Sequence, residues 1–220
     1  MARFFGELGK FNFNYVLDAI SWRLPDWLFY YARTYILCAE KPKLIYQDCR
    51  GYFLRFADTS DIPLIEALDI SEQLIRERFA HGDRCLIAGK DGVIHTIKWA
   101  SPGKRYMKLV GAILDPGENG VIFYGGQTVE EFRRHGLYRA AFNEIYNHFA
   151  SEKRTKVYVG VHSLNKISYD IHIRMNFKPV GEVTHFSLFG LKFTYYKYWP
   201  HAVRKFNVFI KVPPEGLYWN

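Results

Sequence analysis

A strand, a glycine pair, a basic turn and an amphipathic helix follow one another between Phe123 and Phe149, and this order constrains the fold most. The β-branched and aromatic run breaks at Gly125-Gly126, and the turn RRHG follows at residues 133–136. The first amides of a helix have no intrahelical partner and carry the positive end of its dipole, so this turn predicts an anion site suited to phosphate. The apolar face of the helix consists of Leu137, Ala140, Ala141, Ile145 and Phe149.

The order of the remaining elements predicts an α/β fold of the α+β kind, with a mixed, mostly antiparallel central sheet flanked by helices. A helical crossover joins parallel neighbours, so only the strands on either side of the long helix need be parallel. The Asp91-Gly92 pair predicts a hairpin turn. We expect strands at 51–57, 85–88, 93–100, 106–114, 121–128, 156–161, 177–183 and within 185–212, and helices at 62–68, 71–82, 137–150 and 165–175.

Residues 1–47 are dense in aromatic side chains and are interpreted as an N-terminal extension, with residues 48–220 as the main domain. The pattern predicts a helix over 16–23, one or two helical turns over 27–33, and a strand over 34–39. Tryptophan and tyrosine beside arginine suit a membrane surface. We favour an accessory helical and strand layer packed on the main domain, because no lysine-rich polar face accompanies the aromatic residues.

The chain carries 30 Lys and Arg against 22 Asp and Glu, a net charge of +8, which favours anionic partners. The positive residues are dispersed and form no zinc-finger or recognition-helix pattern, so we expect no nucleic-acid partner. Three cysteines without metal-ligand spacing support neither a disulfide framework nor a zinc site. We expect a cytoplasmic protein, because the first residues lack signal-peptide features and no run of about 18 apolar residues occurs.

The basic turn resembles a motif of the GNAT superfamily, the acyl-CoA-dependent N-acetyltransferases. That family carries Arg/Gln-x-x-Gly-x-Gly/Ala between its fourth strand and third helix. The chain reads Arg133-Arg134-His135-Gly136-Leu137-Tyr138 at this place. Tyr138 departs from the common small residue, although some bacterial acyltransferases of the superfamily also have a bulky residue there. A tyrosine at this position is expected to crowd the start of the helix.

A second segment strengthens the resemblance, which then runs from residue 51 to residue 183. The family reads Asn-x-x-Ala, a tyrosine seven positions after the asparagine, and then Gly-Phe. Asparagine replaces that glycine here, and it is well able to end a helix in a left-handed conformation. The corresponding residues of this chain are Asn165, Ser168, His172 and Asn176-Phe177.

The resemblance implies acetyl-CoA or another acyl-CoA as co-substrate. No metal ion is expected, because the histidines show no HExxH or similar spacing. The amides of residues 134–138 would hold its pyrophosphate, with Arg134 and His135 as outer phosphate contacts. The strand before the turn would lend its backbone to the pantetheine arm, and the glycine pair would help separate that strand from its neighbour. Asn165 would contact the pantetheine arm, or serve only as a helix cap. The predicted cofactor-binding residues are Gly126, Gln127, Thr128, Val129, Arg133, Arg134, His135, Gly136, Leu137, Tyr138, Asn165 and Ser168.

Catalysis in this family transfers the acyl group directly from thioester to amine, with a base for the amine and an acid for the departing thiolate. The position of the usual tyrosine acid holds His172, and Tyr169 lies one turn earlier, so these two residues are the predicted catalytic groups. A packed helix histidine is also compatible with a purely structural role. The identity of the base stays open among Glu66, Glu72, Glu118 and Tyr124.

The predicted function is therefore acyl-CoA-dependent N-acyltransfer, with acetyl transfer to a primary amine on a small molecule. An amino sugar or another precursor in bacterial polysaccharide biosynthesis is a candidate acceptor. The alternative is a catalytically degenerate GNAT-fold module that binds CoA or acts as a structural partner. A homodimer is compatible with the sequence, and peripheral membrane contact is the less favoured option.

Overall fold

The computed structural model describes residues 13–45, 48–198 and 204–209. The helices are α1 Phe13–Ser21, α2 Ile62–Glu66, α3 Glu72–Ala80, α4 Leu137–Ser151 and α5 Lys166–Arg174. The strands are β1 Phe29–Glu40, β2 Phe53–Phe56, β3 Arg84–Lys90, β4 Val93–Ser101, β5 Arg105–Met107, β6 Ala112–Leu114, β7 Gly120–Thr128, β8 Lys156–His162, β9 Lys178–Leu188, β10 Leu191–Tyr198 and β11 Arg204–Phe209.

Nine strands form one central sheet in the order β11-β10-β9-β1-β8-β7-β4-β3-β2, and β5 and β6 form a separate hairpin. Among the strand pairs of the described ranges, only β7 and β8 run parallel, with Gly120–Phe123 opposite Lys156–Val159. Helix α4 connects these two strands, as a crossover between parallel neighbours requires. The predicted mixed, mostly antiparallel sheet with flanking helices is confirmed.

Two of the apolar cores formed by the described residues lie on opposite faces of this sheet. Phe123 belongs to the core beneath α4, whereas its neighbour Tyr124 belongs to the core beneath α2 and α3, because successive side chains of a strand point to opposite faces. The core beneath α4 includes Phe142, Ile145 and Phe149, and the core beneath α2 and α3 includes Ile65, Ile75, Ile97 and Trp99.

None of the described helices combines the length and the apolar character that crossing a membrane requires.

Local turn chemistry agrees with the sequence-based expectations. Asp91 and Gly92 have φ angles of 52° and 79° and connect β3 to β4. Positive φ at both central residues is the type I′ geometry that Asp-Gly favours in hairpins. Asn176 has φ 67° immediately after the end of α5, so asparagine takes the left-handed position where the family has glycine.

The N-terminal segment differs from the prediction. The helical turns expected over residues 27–33 are wrong, since β1 begins at Phe29. This strand lies between β8 and β9 and pairs with both, and its Leu37 is fully buried. Residues 29–40 are therefore part of the central sheet and not of an accessory layer. Hydrogen bonding along both strand edges outweighs the weak local helix signal, which tertiary context readily overrides. Residues 1–12 of the predicted extension lie outside the described residues.

The single strand predicted over residues 106–114 is also wrong. A 3₁₀ turn at Lys108–Val110 interrupts it, and the chain folds back as the β5–β6 hairpin. Gly111 has φ 58° at the end of this turn, a left-handed conformation in which an extended strand cannot continue.

Candidate active site

A bulge in β7 marks the centre of the candidate site. The pairing register with β4 shifts between Ile97 and Trp99, so that Lys98 lies opposite both Gly125 and Gly126. Two residues opposite one is the arrangement of a β-bulge. Gly125 has φ 52°, which glycine adopts at no steric cost.

From Tyr124 onward, β7 and β8 separate. Their ladder ends at Phe123 and Val159, although β7 continues to Thr128 and β8 to His162. Within the described ranges, no strand pairs with residues 124–128 on the β8 side. Backbone groups on such an open edge can pair with an extended ligand. The predicted separation of this strand from its neighbour is confirmed.

Five successive backbone amides, those of Arg134 to Tyr138, lie at the start of α4. They donate no hydrogen bond to any residue that the structure describes. The flanking amides are satisfied, since the Arg133 N–H donates to the Glu130 carbonyl at 3.1 Å and the Arg139 N–H donates to the Gly136 carbonyl at 2.9 Å. Positive φ angles occur within this range, 70° at Arg134 and 80° at Gly136. Such a turn at the positive end of a helix has the geometry that suits an anion.

The basic side chains of the turn differ in their contacts with the rest of the protein. Arg133 is held on its own loop, because its Nε donates to the Thr128 carbonyl at 3.4 Å and its Nη1 lies 3.5 Å from Glu130 Oε1. Arg134 and His135 are exposed. The arrangement therefore leaves the polar groups of Arg134 and His135 facing solvent.

The two glycines of the bulge face different side chains. A Cβ atom at Gly126 would lie 2.8 Å from the Tyr138 ring and 3.3 Å from Lys98 Nζ, on the face covered by α4. A Cβ atom at Gly125 would lie 3.2 Å from the Trp99 ring and 3.6 Å from Nη1 of the arginine at position 78, on the face covered by α2 and α3. The bulge is thus a place where side chains from both faces approach the backbone closely. Tyr138 fits because residue 126 has no side chain.

Lys98, Tyr138 and His172 form a hydrogen-bonded chain on the α4 face of the sheet. Lys98 Nζ donates to Tyr138 Oη at 2.7 Å, and this hydroxyl lies 3.4 Å from His172 Nε2. His172 Nδ1 lies 2.7 Å from the Ser168 carbonyl, so Nδ1 carries the proton and Nε2 is the acceptor. Lys98 and His172 are 2% and 3% exposed, whereas Tyr138 is half-buried. Among these three hydrogen-bonded side chains, Tyr138 is therefore the one that a ligand can reach.

The predicted catalytic residues have distinct surroundings. Burial, together with the positive charge of Lys98, lowers the pKa of His172 to about 4, against the effect of its bond to the Ser168 carbonyl. His172 is therefore neutral near neutral pH. Tyr169 is half-buried and packs edge-on against Tyr35 of β1, with ring centroids 5.5 Å apart.

The predicted pantetheine-binding residues of β7 already make several contacts. The Gln127 side chain donates to the Leu68 carbonyl at 3.3 Å, which ties β7 to the loop between α2 and α3. Thr128 Oγ1 accepts from Thr96 Oγ1 at 3.1 Å. The Val129 N–H donates to a β4 carbonyl, that of His95, at 2.9 Å, so this amide is not open to a ligand.

Asn165 and Ser168 lie at the start of α5. Asn165 Oδ1 accepts the Ser168 amide at 3.0 Å, which is the contact of a helix N-cap. Ser168 is half-buried, and its hydroxyl lies 3.4 Å from His172 Nδ1. The cap leaves the side-chain amide nitrogen of the exposed Asn165 for other partners.

The four candidate bases are not equivalent. Glu118 precedes β7 and thus lies at the end of the strand opposite the bulge. Tyr124 is buried and donates to Asp83, and burial followed by the Asp83 charge raises its pKa well above the usual value. The Tyr124 hydroxyl therefore stays protonated near neutral pH and is not available to accept a proton. Glu66 and Glu72 are exposed, and Glu66 Oε1 accepts the Glu72 amide at 3.1 Å.

A buried charged cluster on the α2 and α3 face was not predicted. The carboxylate of Asp83 accepts from Arg105 and Tyr124, and its other oxygen lies 3.1 Å from His81 Nδ1. Asp83, Arg105 and Tyr124 are each at most 3% exposed. Arg78 of α3 adjoins the cluster.

A sequence signal for Arg78 and Lys98 existed. Arg78 follows the buried Leu74 and Ile75 at helical spacing, so it belongs to the apolar face of α3. Lys98 stands inside the buried run of β4. A basic residue at a core position calls for a partner.

No group of three or more His, Cys, Asp or Glu side chains in the described part of the chain has the arrangement of a metal site.

Comparison with known proteins identifies the fold. No family model matches the sequence, and no curated protein matches it. Among solved structures, an acetyltransferase assigned to the GNAT family from Novosphingobium aromaticivorans is similar, with a TM-score of 0.52 and 16% identity over 70% of this chain. A conserved protein of unknown function from Staphylococcus epidermidis has a TM-score of 0.52 and 10% identity over 72% of this chain.

The similarity covers 62% of the length of each of those two chains. At such low identity the likeness concerns the backbone arrangement. The separated β7 and β8 strands and the glycine turn before α4 occur where the resemblance to the GNAT motif places them. The chain therefore has the fold of the GNAT acetyltransferases.

Proposed function

We propose that this protein is an acyl-CoA-dependent N-acyltransferase that moves an acetyl group from acetyl-CoA to a primary amine. The observation that carries the proposal is a row of five backbone amides at the start of α4, from Arg134 to Tyr138. These amides have no hydrogen-bond acceptor in the described part of the chain. Aligned backbone donors at a helix N-terminus favour anions, and a pyrophosphate supplies several acceptor oxygens at once.

The cofactor would extend from this turn toward the bulge. Its pyrophosphate would accept from the amides of residues 134–138, and Arg134 and His135 would contact its outer oxygens. Its pantetheine arm would pair with the open edge of β7 at Gly126 and Gln127, near Asn165. The thioester would then approach the bulge, where Gly125 is partly exposed and Gly126 is exposed.

The reaction forms a C–N bond between the amine and the thioester carbonyl carbon and breaks the C–S bond, so the amine gives up one proton to a base and the sulfur leaves as a thiolate. Positioning of the two reactants and hydrogen bonds to the developing oxyanion lower the barrier. The thiolate needs a proton, and Tyr138 is the accessible hydroxyl beside the bulge. Lys98 would stabilise the negative charge that develops on its oxygen, and His172 would orient it. In this proposal His172 acts through Tyr138, while direct donation by His172 or Tyr169 is the alternative.

The acceptor would enter from the face covered by α2 and α3, where Gln127 contacts the Leu68 carbonyl. The overall charge of +8 suits an anionic acceptor. A nucleotide-linked amino sugar or another precursor of an envelope polysaccharide would carry both the amine and the negative charge. A cytoplasmic location would supply acetyl-CoA.

Charge reversal at the turn tests the cofactor site. We expect Arg134→Glu to weaken acetyl-CoA binding by at least about 1 kcal/mol, because a charge-assisted phosphate contact becomes repulsive. Arg134→Asn is the matched control, since asparagine tolerates the positive φ of this residue and removes only the charge. Calorimetry should rank the affinities as wild type, then Asn, then Glu. Equal affinity of the Glu variant and the wild type would show that acetyl-CoA does not lie on this turn.

Removal of one hydroxyl tests the proton donor. We expect Tyr138→Phe to lower kcat by about 100-fold, within the range for general acid catalysis, with little change in the Kd for acetyl-CoA. Tyr169→Phe is the matched control and should retain kcat. The measurement is thiol release from acetyl-CoA with an amine acceptor. A loss confined to Tyr169→Phe would assign the donor to Tyr169 instead.

A second function is a non-catalytic module that binds CoA. The observation in its favour is the buried, neutral His172 at the position of the family's tyrosine acid. Acetyl-CoA binding without thiol release across a broad panel of amines would support the module and contradict the acyltransferase.

A further inference from the structure

Arg78 is a buried guanidinium beside the bulge. The residue is 3% exposed, and its Cζ lies 4.9 Å from the centre of the Trp99 ring and 5.3 Å from the centre of the Tyr124 ring. Both rings hold the guanidinium by cation–π attraction. These contacts fix its position but satisfy none of its five N–H donors.

No hydrogen bond from the Arg78 side chain to a described residue is present, and its buried Nε has no acceptor there. The nearby carboxylate of Asp83 is engaged by Arg105, Tyr124 and His81. Among the described residues, the cluster thus contains two guanidinium groups and one carboxylate. A buried charge without a hydrogen-bonded counterion is costly, so Arg78 is suited to an anion from outside the cluster. Burial, the largest contribution, lowers the pKa of Arg78 in agreement with this picture.

The guanidinium is directed at the bulge. Nη1 of Arg78 would lie 3.6 Å from a Cβ atom at Gly125, so the guanidinium lies directly beside the backbone of this glycine. Gly125 is partly exposed and Gly126 is exposed, which opens the bulge to solvent. On the other face, Gly126 adjoins Tyr138 and Lys98. Arg78 and the proposed proton donor therefore flank the same two backbone residues.

We propose that Arg78 binds a carboxylate of the reactant that enters at Gly125, and that this reactant is the amine acceptor. The inference rests on the proposed function for the identity of the reactants. A planar guanidinium forms two parallel hydrogen bonds to a carboxylate, and the rings of Trp99 and Tyr124 exclude water from the pair. The acceptor class is then an amine that also carries a carboxylate.

The carboxylate could also reside on the acyl donor, as in a dicarboxylic acyl-CoA. The position of Arg78 favours the acceptor, because this residue belongs to α3 on one face of the sheet, whereas the proposed pyrophosphate turn precedes α4 on the opposite face. Succinyl-CoA, compared with acetyl-CoA, distinguishes the two sources.

The test measures binding of product analogues to the full chain by calorimetry, with and without saturating CoA. The probes are N-acetylglycine, N-acetylaspartate and N-acetylglutamate, each paired with the analogue in which every carboxylate is a carboxamide. We expect at least one acid to bind about tenfold or more tightly than its amide, as for a charge-assisted hydrogen bond. Arg78→Gln should abolish this preference and leave the affinity for acetyl-CoA unchanged. Arg76→Gln on the exposed side of α3 is the matched control and should retain it.

Several outcomes separate this proposal from the proposed function. Equal binding of acid and amide in every pair, or a preference that persists in Arg78→Gln, would overturn the acceptor-carboxylate site. If only succinyl-CoA loses affinity in Arg78→Gln, the carboxylate belongs to the donor. A carboxylate preference in a protein that fails to bind acetyl-CoA would retain the Arg78 site and reject the acyltransferase. If Arg78→Gln fails to fold, the proposal is tested by comparing the binding of acid and amide to the wild type and to Arg78→Lys.

Discussion

Replacing Asp83 by alanine is expected to lower the free energy of unfolding by about 3–5 kcal/mol, the usual cost of removing one partner from a buried ion pair. The Asp83 carboxylate is fully buried and accepts from Arg105 and Tyr124. Its removal leaves two buried guanidinium groups, those of Arg78 and Arg105, without this negative charge. Urea unfolding at neutral pH measures the change.

The control for this variant is Glu40→Ala. Glu40 pairs with Lys156 at 2.8 Å, but both side chains are largely exposed, 69% and 43% respectively. Exposed ion pairs contribute little, because water and salt screen them. An Asp83→Ala protein as stable as Glu40→Ala would contradict the structural role of the buried cluster.

Acidification from pH 6.5 to pH 4 is expected to destabilise the fold through two buried histidines. The pKa of each histidine is lowered to about 4, mainly by burial. The positive charge of Lys98 adds to the effect at His172, and that of Lys192 adds to it at His185. The unfolded chain binds protons at these histidines near pH 6.5, so it holds more protons than the folded chain throughout this interval. Stability is therefore complete above about pH 6.5 and decreases as the pH falls, by up to about 3 kcal/mol for each histidine.

Measurements of the free energy of unfolding between pH 4.5 and pH 8 test this expectation. The wild type should show a flat region above pH 7 and a decline below it. His172→Phe should have a shallower decline, because one of the two protonation steps is gone, whatever the effect of the substitution on stability at pH 8. Identical slopes for the wild type and His172→Phe would show that His172 does not contribute.

Much of the candidate cofactor site was predictable because it is local in sequence. The glycine pair, the basic turn and the periodic helix lie within one continuous stretch, and backbone geometry there follows from nearby residues. The left-handed Asn176 and the Asp91-Gly92 hairpin followed from the same kind of reasoning. The resemblance then supplied the expected ligand, and the observed fold agrees with it.

The contacts of the Tyr138 side chain could not be predicted from the residues next to it in the sequence. Its ring passes beneath Gly126 and its hydroxyl meets Lys98, which is 40 residues earlier in the chain, so it does not crowd the helix start as expected. The contact requires the bulge, the absent side chain at position 126 and the crossover of α4 at once. The central position of β1 was missed for a related reason, because strands from distant parts of the chain provide its hydrogen-bond partners.

The sequence by itself determined the turn before α4, the glycine break in β7 and the mixed sheet, because φ preferences and apolar periodicity act over a few residues. Only the tertiary structure decided which polar side chains meet in the interior. The pairs formed by Asp83 with Arg105 and with Tyr124 span 22 and 41 residues, and the contact of Tyr138 with His172 spans 34. Burial and long-range pairing fix the protonation state and charge of such groups, and these depend on the complete fold.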